Sequence, residues 1–105
     1  MQEISVHELK ALMDSGAPFT LIDVREPYEA EMANIGGTLI PMGTVLSRLH
    51  EIPTSGKVVV HCRSGGRSGS VIQVLQEEFG YSNLLNLKGG ILAWAAEIDA
   101  NINLG

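Results

Sequence analysis

Apolar residues in this chain come in two alternating arrangements. Short apolar or β-branched runs occur at Phe19–Val24, Thr38–Ile40, Val58–Val60 and Leu84–Leu87. Runs of this length suit strands covered on both faces, as in a parallel sheet. Between them the apolar positions recur three and four residues apart: Leu9, Leu12 and Met13; Val45, Leu46 and Leu49; Val71, Val74, Leu75 and Phe79; Ile91, Trp94, Ala95 and Ile98. That spacing puts each set on one side of a helix.

Punctuation residues fall where these elements should begin and end. Ser5-Val6-His7-Glu8 has capping-box spacing, and Gly16 with Pro18 closes the helix it opens. Ile4, just before it, suits a short edge strand. Glu26-Pro27 opens a short second helix, since proline is tolerated in a first turn and acids suit its positive end. Gly36-Gly37 ends that helix, Pro41 ends the strand at Thr38–Ile40, and Pro53 with Gly56 closes the helix around Val45. Gly80 is placed as a C-cap, and Gly89-Gly90 leads into the last helix. The pattern predicts one α/β domain over residues 1–105, with a mostly parallel sheet of about five strands and helices on both faces. Such folds bind ligands beyond the carboxyl ends of their strands. Asp23 and Cys62 both lie at such ends, while Asn101–Gly105 reads as a loosely held tail.

Composition narrows the class. Hydrophobic residues make up 45% and charged residues 18%, which is a globular rather than a disordered balance. No apolar run approaches the length of a membrane helix, and Met1-Gln2-Glu3 lacks the basic start of a signal peptide. A single cysteine excludes an internal disulfide and suits a reducing compartment, so the expected location is the cytoplasm. A net charge of −5 argues against nucleic acid or an anionic membrane as partner. Yet no acidic residue lies between Glu51 and Glu77, where Lys57, Arg63 and Arg67 all fall. Positive charge gathered near the cysteine suggests a small anionic ligand.

The chemistry concentrates at Cys62-Arg63-Ser64-Gly65-Gly66-Arg67-Ser68. This stretch follows the valine strand and precedes a helix, so its backbone N–H groups and the helix's positive end face one concavity. A thiolate is the anion such a site favours, and a helix N-terminus with nearby arginines is a setting that lowers a thiol pKa. The bland reading is a buried cysteine acting as a small hydrophobe. Gly65 and Gly66 are expected to be needed for the backbone shape under either reading. Ser64 and Ser68 can donate hydrogen bonds, though serine is also ordinary cap material. Arg67 either anchors the loop or contacts donor and acceptor, and Arg63 is expected to be exposed, where it could steer an anion. His61 precedes Cys62 on a strand and so points to the opposite face, which suits a structural role. One cysteine and three scattered histidines have no metal spacing, so no metal is expected.

Cys62–Ser68 resembles the active-site loop of the rhodanese-like sulfurtransferases. Leu21-Ile22-Asp23-Val24-Arg25-Glu26 resembles the early strand signature of that family. Gly80-Tyr81, then Asn86-Leu87-Lys88-Gly89-Gly90-Ile91 and Ala93-Trp94, resembles its C-terminal one. The resemblance implies a Cys62 thiolate that takes a sulfane sulfur from a donor, holds it as a persulfide and passes it on. The donor would be a small anion such as thiosulfate or a sulfur-carrying protein, the acceptor a thiol or cyanide, with no cofactor. It also implies that Asp23 and Arg25 form either a structural pair or a support for the active loop, and that Trp94 packs in the core. Two other readings stand beside it. One is a binding or redox-sensing module on the same fold. The other is a cysteine phosphatase or arsenate reductase, whose loops are one residue longer than the four residues between Cys62 and Arg67. The chain departs from the family at Ala33-Asn34-Ile35-Gly36-Gly37, and at Ala30, where Tyr28 is the candidate replacement for an expected aromatic.

Overall fold

Side chains alternate across a strand, and here that alternation sorts the core into two halves. A computed structural model describes all residues, Met1–Gly105. Strand β4, Val58–His61, sends Val58 and Val60 to one face and Val59 to the other. On the first face they meet Ile22, Val24, Ile72, Leu75 and Leu84, and Cys62 just beyond the strand belongs to the same cluster. On the second, Val59 joins Leu9, Leu21, Leu87 and Trp94. All three valines are buried, each contributing about 1.5–3 kcal/mol relative to exposure.

The strands are β1 (Glu3–Ile4), β2 (Thr20–Asp23), β3 (Thr38–Leu39), β4 and β5 (Leu84–Leu87). They form one parallel sheet in the order β1-β5-β4-β2-β3. The helices are α1 (Val6–Ser15), α2 (Pro27–Met32), α3 (Gly66–Phe79) and α4 (Gly90–Glu97). Through their buried residues α3 covers one face, while α1 and α4 cover the other. The expected α/β architecture is therefore the observed one, with every strand pair parallel. The capping box forms as predicted: Glu8 N–H donates to Ser5 Oγ and Ser5 N–H to Glu8 Oε1, both at 3.0 Å.

Several details depart from the sequence expectation. Met42–Glu51 is not an α-helix but 3₁₀ turns broken at Arg48, with Val45 buried and Leu46 exposed. On α3 the buried stripe is Val71, Ile72 and Leu75, whereas Val74 and Phe79 are 38% and 46% exposed. Tyr28 is 70% exposed and cannot fill an aromatic core position. The tail is tied back: Ile102 packs on the α1–α4 side, and Ile102 N–H donates to the Asp99 carbonyl. No helix is long and apolar enough to cross a membrane.

Candidate active site

Cys62 lies one residue past β4, at the sheet's carboxyl edge, with the chain turning through Gly65 into α3. Gly65 has φ +111°, a region costly for any residue with a Cβ. Gly66 has an ordinary φ, and a Cβ added there would meet nothing. The sequence expectation that both glycines shape the loop thus holds for Gly65 alone. A third glycine matters instead. Ile91 N–H donates to the Cys62 carbonyl and Leu92 N–H to the Arg63 carbonyl, each at 3.0 Å, so the start of α4 is bolted to the cysteine loop. Gly90, at φ +59°, lies so close that a Cβ would collide with both carbonyls. Of the Gly89-Gly90 pair at the start of α4, Gly90 is therefore a backbone requirement of the cysteine loop.

The Cys62 thiol is 1% exposed and sits at the floor of this turn. Gly65 N–H donates to Sγ at 3.1 Å, and the buried Ser68 hydroxyl lies 3.3 Å from it. Burial pushes the thiol up. Hydrogen bonds from the Ser68 hydroxyl and from the backbone N–H groups of Ser68, Gly65 and Ser64 outweigh it, and the net direction is downward. Of the expected helix N-terminus and arginines, it is the backbone at the start of α3 that acts on the thiol, not the arginines. Arg67 is turned to α2, where its two Nη atoms reach Glu29 Oε1 and Oε2 at 2.7 and 2.9 Å. Arg67 holds the Glu29 carboxyl down to about 2. Positive charge collected in sequence around Cys62 is thus partly cancelled in space. Arg63 and Ser64 are exposed at the rim.

Asp23 and Arg25 are both buried and meet through a forked contact: Nε to Oδ1 at 2.9 Å and Nη2 to Oδ2 at 2.8 Å. Arg25 Nη2 also donates to the Ala33 carbonyl at 2.7 Å, so the pair tethers the end of β2 to the end of α2. None of these bonds involves Cys62. His61 is fully buried on the opposite face from the thiol, its Nε2 without a hydrogen bond and 3.9 Å from Asp23 Oδ2. Trp94 is buried in the α1–α4 cluster. No three His, Cys, Asp or Glu side chains converge as a metal site.

Sequence reasoning missed two residues of the site. Glu29 is one; the acid-rich first turn of α2 hides it among ordinary helix-start acids. Asn86 is the other. It stands in β5 between leucines, buried, with its side chain on the Ser68 hydroxyl at 2.6 Å. An amide inside an apolar strand was the available signal.

The sequence profile of the rhodanese-like domain matches residues 5–97. The chain belongs to the rhodanese-like domain family. Among its relatives, a sulfurtransferase of Allochromatium vinosum is 38% identical over 96 residues, covering 90% of this chain and 89% of that protein. A Mycobacterium tuberculosis protein named "Probable adenylyltransferase/sulfurtransferase MoeZ" is 34% identical over 102 residues. That match takes in 94% of this chain but only 26% of the Mycobacterium protein. A rhodanese-like domain protein of Staphylococcus aureus superposes with a TM-score of 0.83 at 29% identity, covering 100% of this chain and 99% of that one. The first two of these proteins are named for sulfur transfer, the third for its rhodanese-like domain.

Proposed function

We propose that this protein is a sulfurtransferase in which Cys62 carries the sulfur as a persulfide. The Cys62 thiolate attacks the outer sulfur of a donor such as thiosulfate. A new bond forms from Sγ to that sulfur, the donor's own bond to it breaks, and the electron pair leaves with sulfite. The negative charge then rests on the terminal sulfur of the persulfide. An acceptor thiolate or cyanide attacks that sulfur, and the Sγ–S bond breaks to return the Cys62 thiolate. The relay divides one transfer into two displacements and calls on neither metal nor cofactor.

The observation that carries this reading is the floor of the loop, where Sγ is met by backbone N–H groups and the Ser68 hydroxyl. Fixed donors of this kind stabilise sulfur anions and the charge that builds as sulfur moves. Arg63, Ser64 and Gly66 line the outer part of the loop and are proposed to meet the donor, with exposed Arg63 steering anions. Arg67 and Glu29 brace the loop from the side, and Asp23 with Arg25 holds the end of α2. The sulfur source is a small anionic donor or a sulfur-carrying protein, and the proposed setting is the cytoplasm.

Intact-protein mass after brief incubation with thiosulfate tests the reading. The expected result is a gain of about 32 Da that requires Cys62, vanishes on cyanide treatment and appears as thiocyanate. The Cys62→Ala variant should show none of it. If neither thiosulfate, mercaptopyruvate nor a cysteine desulfurase persulfide loads the wild-type protein, the reading is wrong.

A further inference from the structure

Asn86 reaches the cysteine by strand parity. It stands opposite Val60 in the β4–β5 register, on the face that also carries Cys62 two residues beyond Val60. From there its amide bridges two parts of the loop. Nδ2 donates to the Gly65 carbonyl at 3.1 Å, and Oδ1 faces the Ser68 hydroxyl at 2.6 Å. The amide's orientation is dictated by Gly65, whose carbonyl can only accept, so the oxygen of Asn86 must be the end turned to Ser68.

Ser68 then has two claimants. Its hydroxyl carries one proton, yet both Asn86 Oδ1 at 2.6 Å and Cys62 Sγ at 3.3 Å can accept it. All three side chains are buried, so water cannot freely make up a missing bond. When Cys62 is a thiol, its S–H can donate to Ser68 Oγ while Ser68 donates to Asn86, and the chain is complete. When Cys62 is a thiolate, Ser68 must turn to Sγ and leave Asn86 Oδ1 without a donor.

We infer that Asn86 is a positioning residue for Cys62, acting through Ser68: its side-chain carbonyl and the cysteine sulfur share the single proton of the Ser68 hydroxyl. The consequence for sulfur transfer rests on the reading above. On loading, charge leaves Sγ for the terminal sulfur, Ser68 swings back to Asn86, and the buried acceptor is satisfied again. The amide thereby opposes the empty thiolate and favours the loaded protein, with no proton gained or lost.

The test is the titration of Cys62 in the sulfur-free protein, followed by iodoacetamide alkylation rate against pH. Cys62 is the only cysteine, so the signal has one source. The other titratable and charged groups around the site stay as they are, only Asn86→Asp adding one: Arg63 at the rim, Arg67 of α3 with Glu29 of α2 bound to it, Asp23 and Arg25 at the end of β2, and His61 of β4. Ser68→Ala should raise the midpoint by about half a pH unit, on the order of one lost hydrogen bond. Asn86→Ala should lower it by a similar amount, because Ser68 is freed for the thiolate. Asn86→Asp, which keeps the competing oxygen and adds charge, should raise it. In the Ser68→Ala background, Asn86→Ala should no longer move it. A purely structural amide would shift both Asn86 variants the same way, or act equally with and without Ser68. Either outcome overturns the inference. Because the titration uses unloaded protein, it decides the matter even if no donor loads Cys62.

Discussion

Glu29 of α2 and Arg67 of α3 stand 38 residues apart in sequence and meet through two parallel bonds of 2.7 and 2.9 Å. Forked pairs of this kind are among the stronger side-chain contacts. This one joins the short helix after β2 to the first turn of the cysteine helix.

Acid should undo that brace. The Glu29 carboxyl is held at about 2 in the folded protein, against 4.5 for the free group. A lowered folded value means the unfolded chain binds the proton more readily. The stabilisation is then complete above pH 4.5 and is lost as pH falls toward 2. Glu29→Gln is expected to cost about 2 kcal/mol at neutral pH and to flatten the stability profile in that window. Urea midpoints from pH 7 to pH 3 check this, and an unchanged acid limb in the variant would contradict it.

His61 should act in a higher window. Burial, the largest influence, holds its ring below the ordinary 6.5, with Asp23 opposing more weakly. The folded protein therefore keeps His61 neutral where the unfolded chain protonates it, and stability falls as pH drops below 6.5. His61→Leu removes a ring nitrogen that has no partner. The variant should stay within about 1 kcal/mol of wild type at pH 7.5 and lose less on moving to pH 5.5. Equal losses would rule out His61 as the source.

Arg25→Ala is expected to be severe. It strands the buried Asp23 carboxylate and frees the Ala33 carbonyl at the end of α2. Removing one partner of a buried pair costs about 3–5 kcal/mol. Chemical denaturation should show a loss of that size, and a loss below about 1 kcal/mol would mean the pair is not holding the fold.

Gly66→Ala and Gly90→Ala separate two glycines that look alike on paper. Gly66 opens α3 with open space around it, so alanine should fold normally and stabilise by up to about 1 kcal/mol. Gly90 has φ +59° and faces the carbonyls of Cys62 and Arg63, so alanine should destabilise by more than about 2 kcal/mol and displace the loop. Thermal midpoints that fail to separate the two variants would contradict this geometry.

Much of the fold was legible because its signals are local. The Ser5–Glu8 box, the apolar runs of β2, β4 and β5, and the glycine stops at Gly16 and Gly80 each depend on neighbours a few residues away. The α3 stripe was misread at Val74 and Phe79 because helical spacing leaves two adjoining faces possible. Only the sheet decides which one is covered, and here Ile72 is. The Met42–Glu51 segment departs in the same way: its apolar spacing is helical, yet the chain there forms 3₁₀ turns broken at Arg48, with Val45 its buried residue.

The cysteine loop shows the same division. By itself the sequence determined that Cys62 ends a buried strand ahead of a helix, because β-branched runs and glycine turns act through the local backbone. Tertiary structure alone decided who surrounds the thiol. Glu29 comes from α2 to take Arg67, Gly90 from α4 to press on the Cys62 carbonyl, and Asn86 from β5 to claim the Ser68 proton. Each lies at least 18 residues from the loop residue it meets. Their meeting depends on strand order and register, which hydrophobic spacing does not encode.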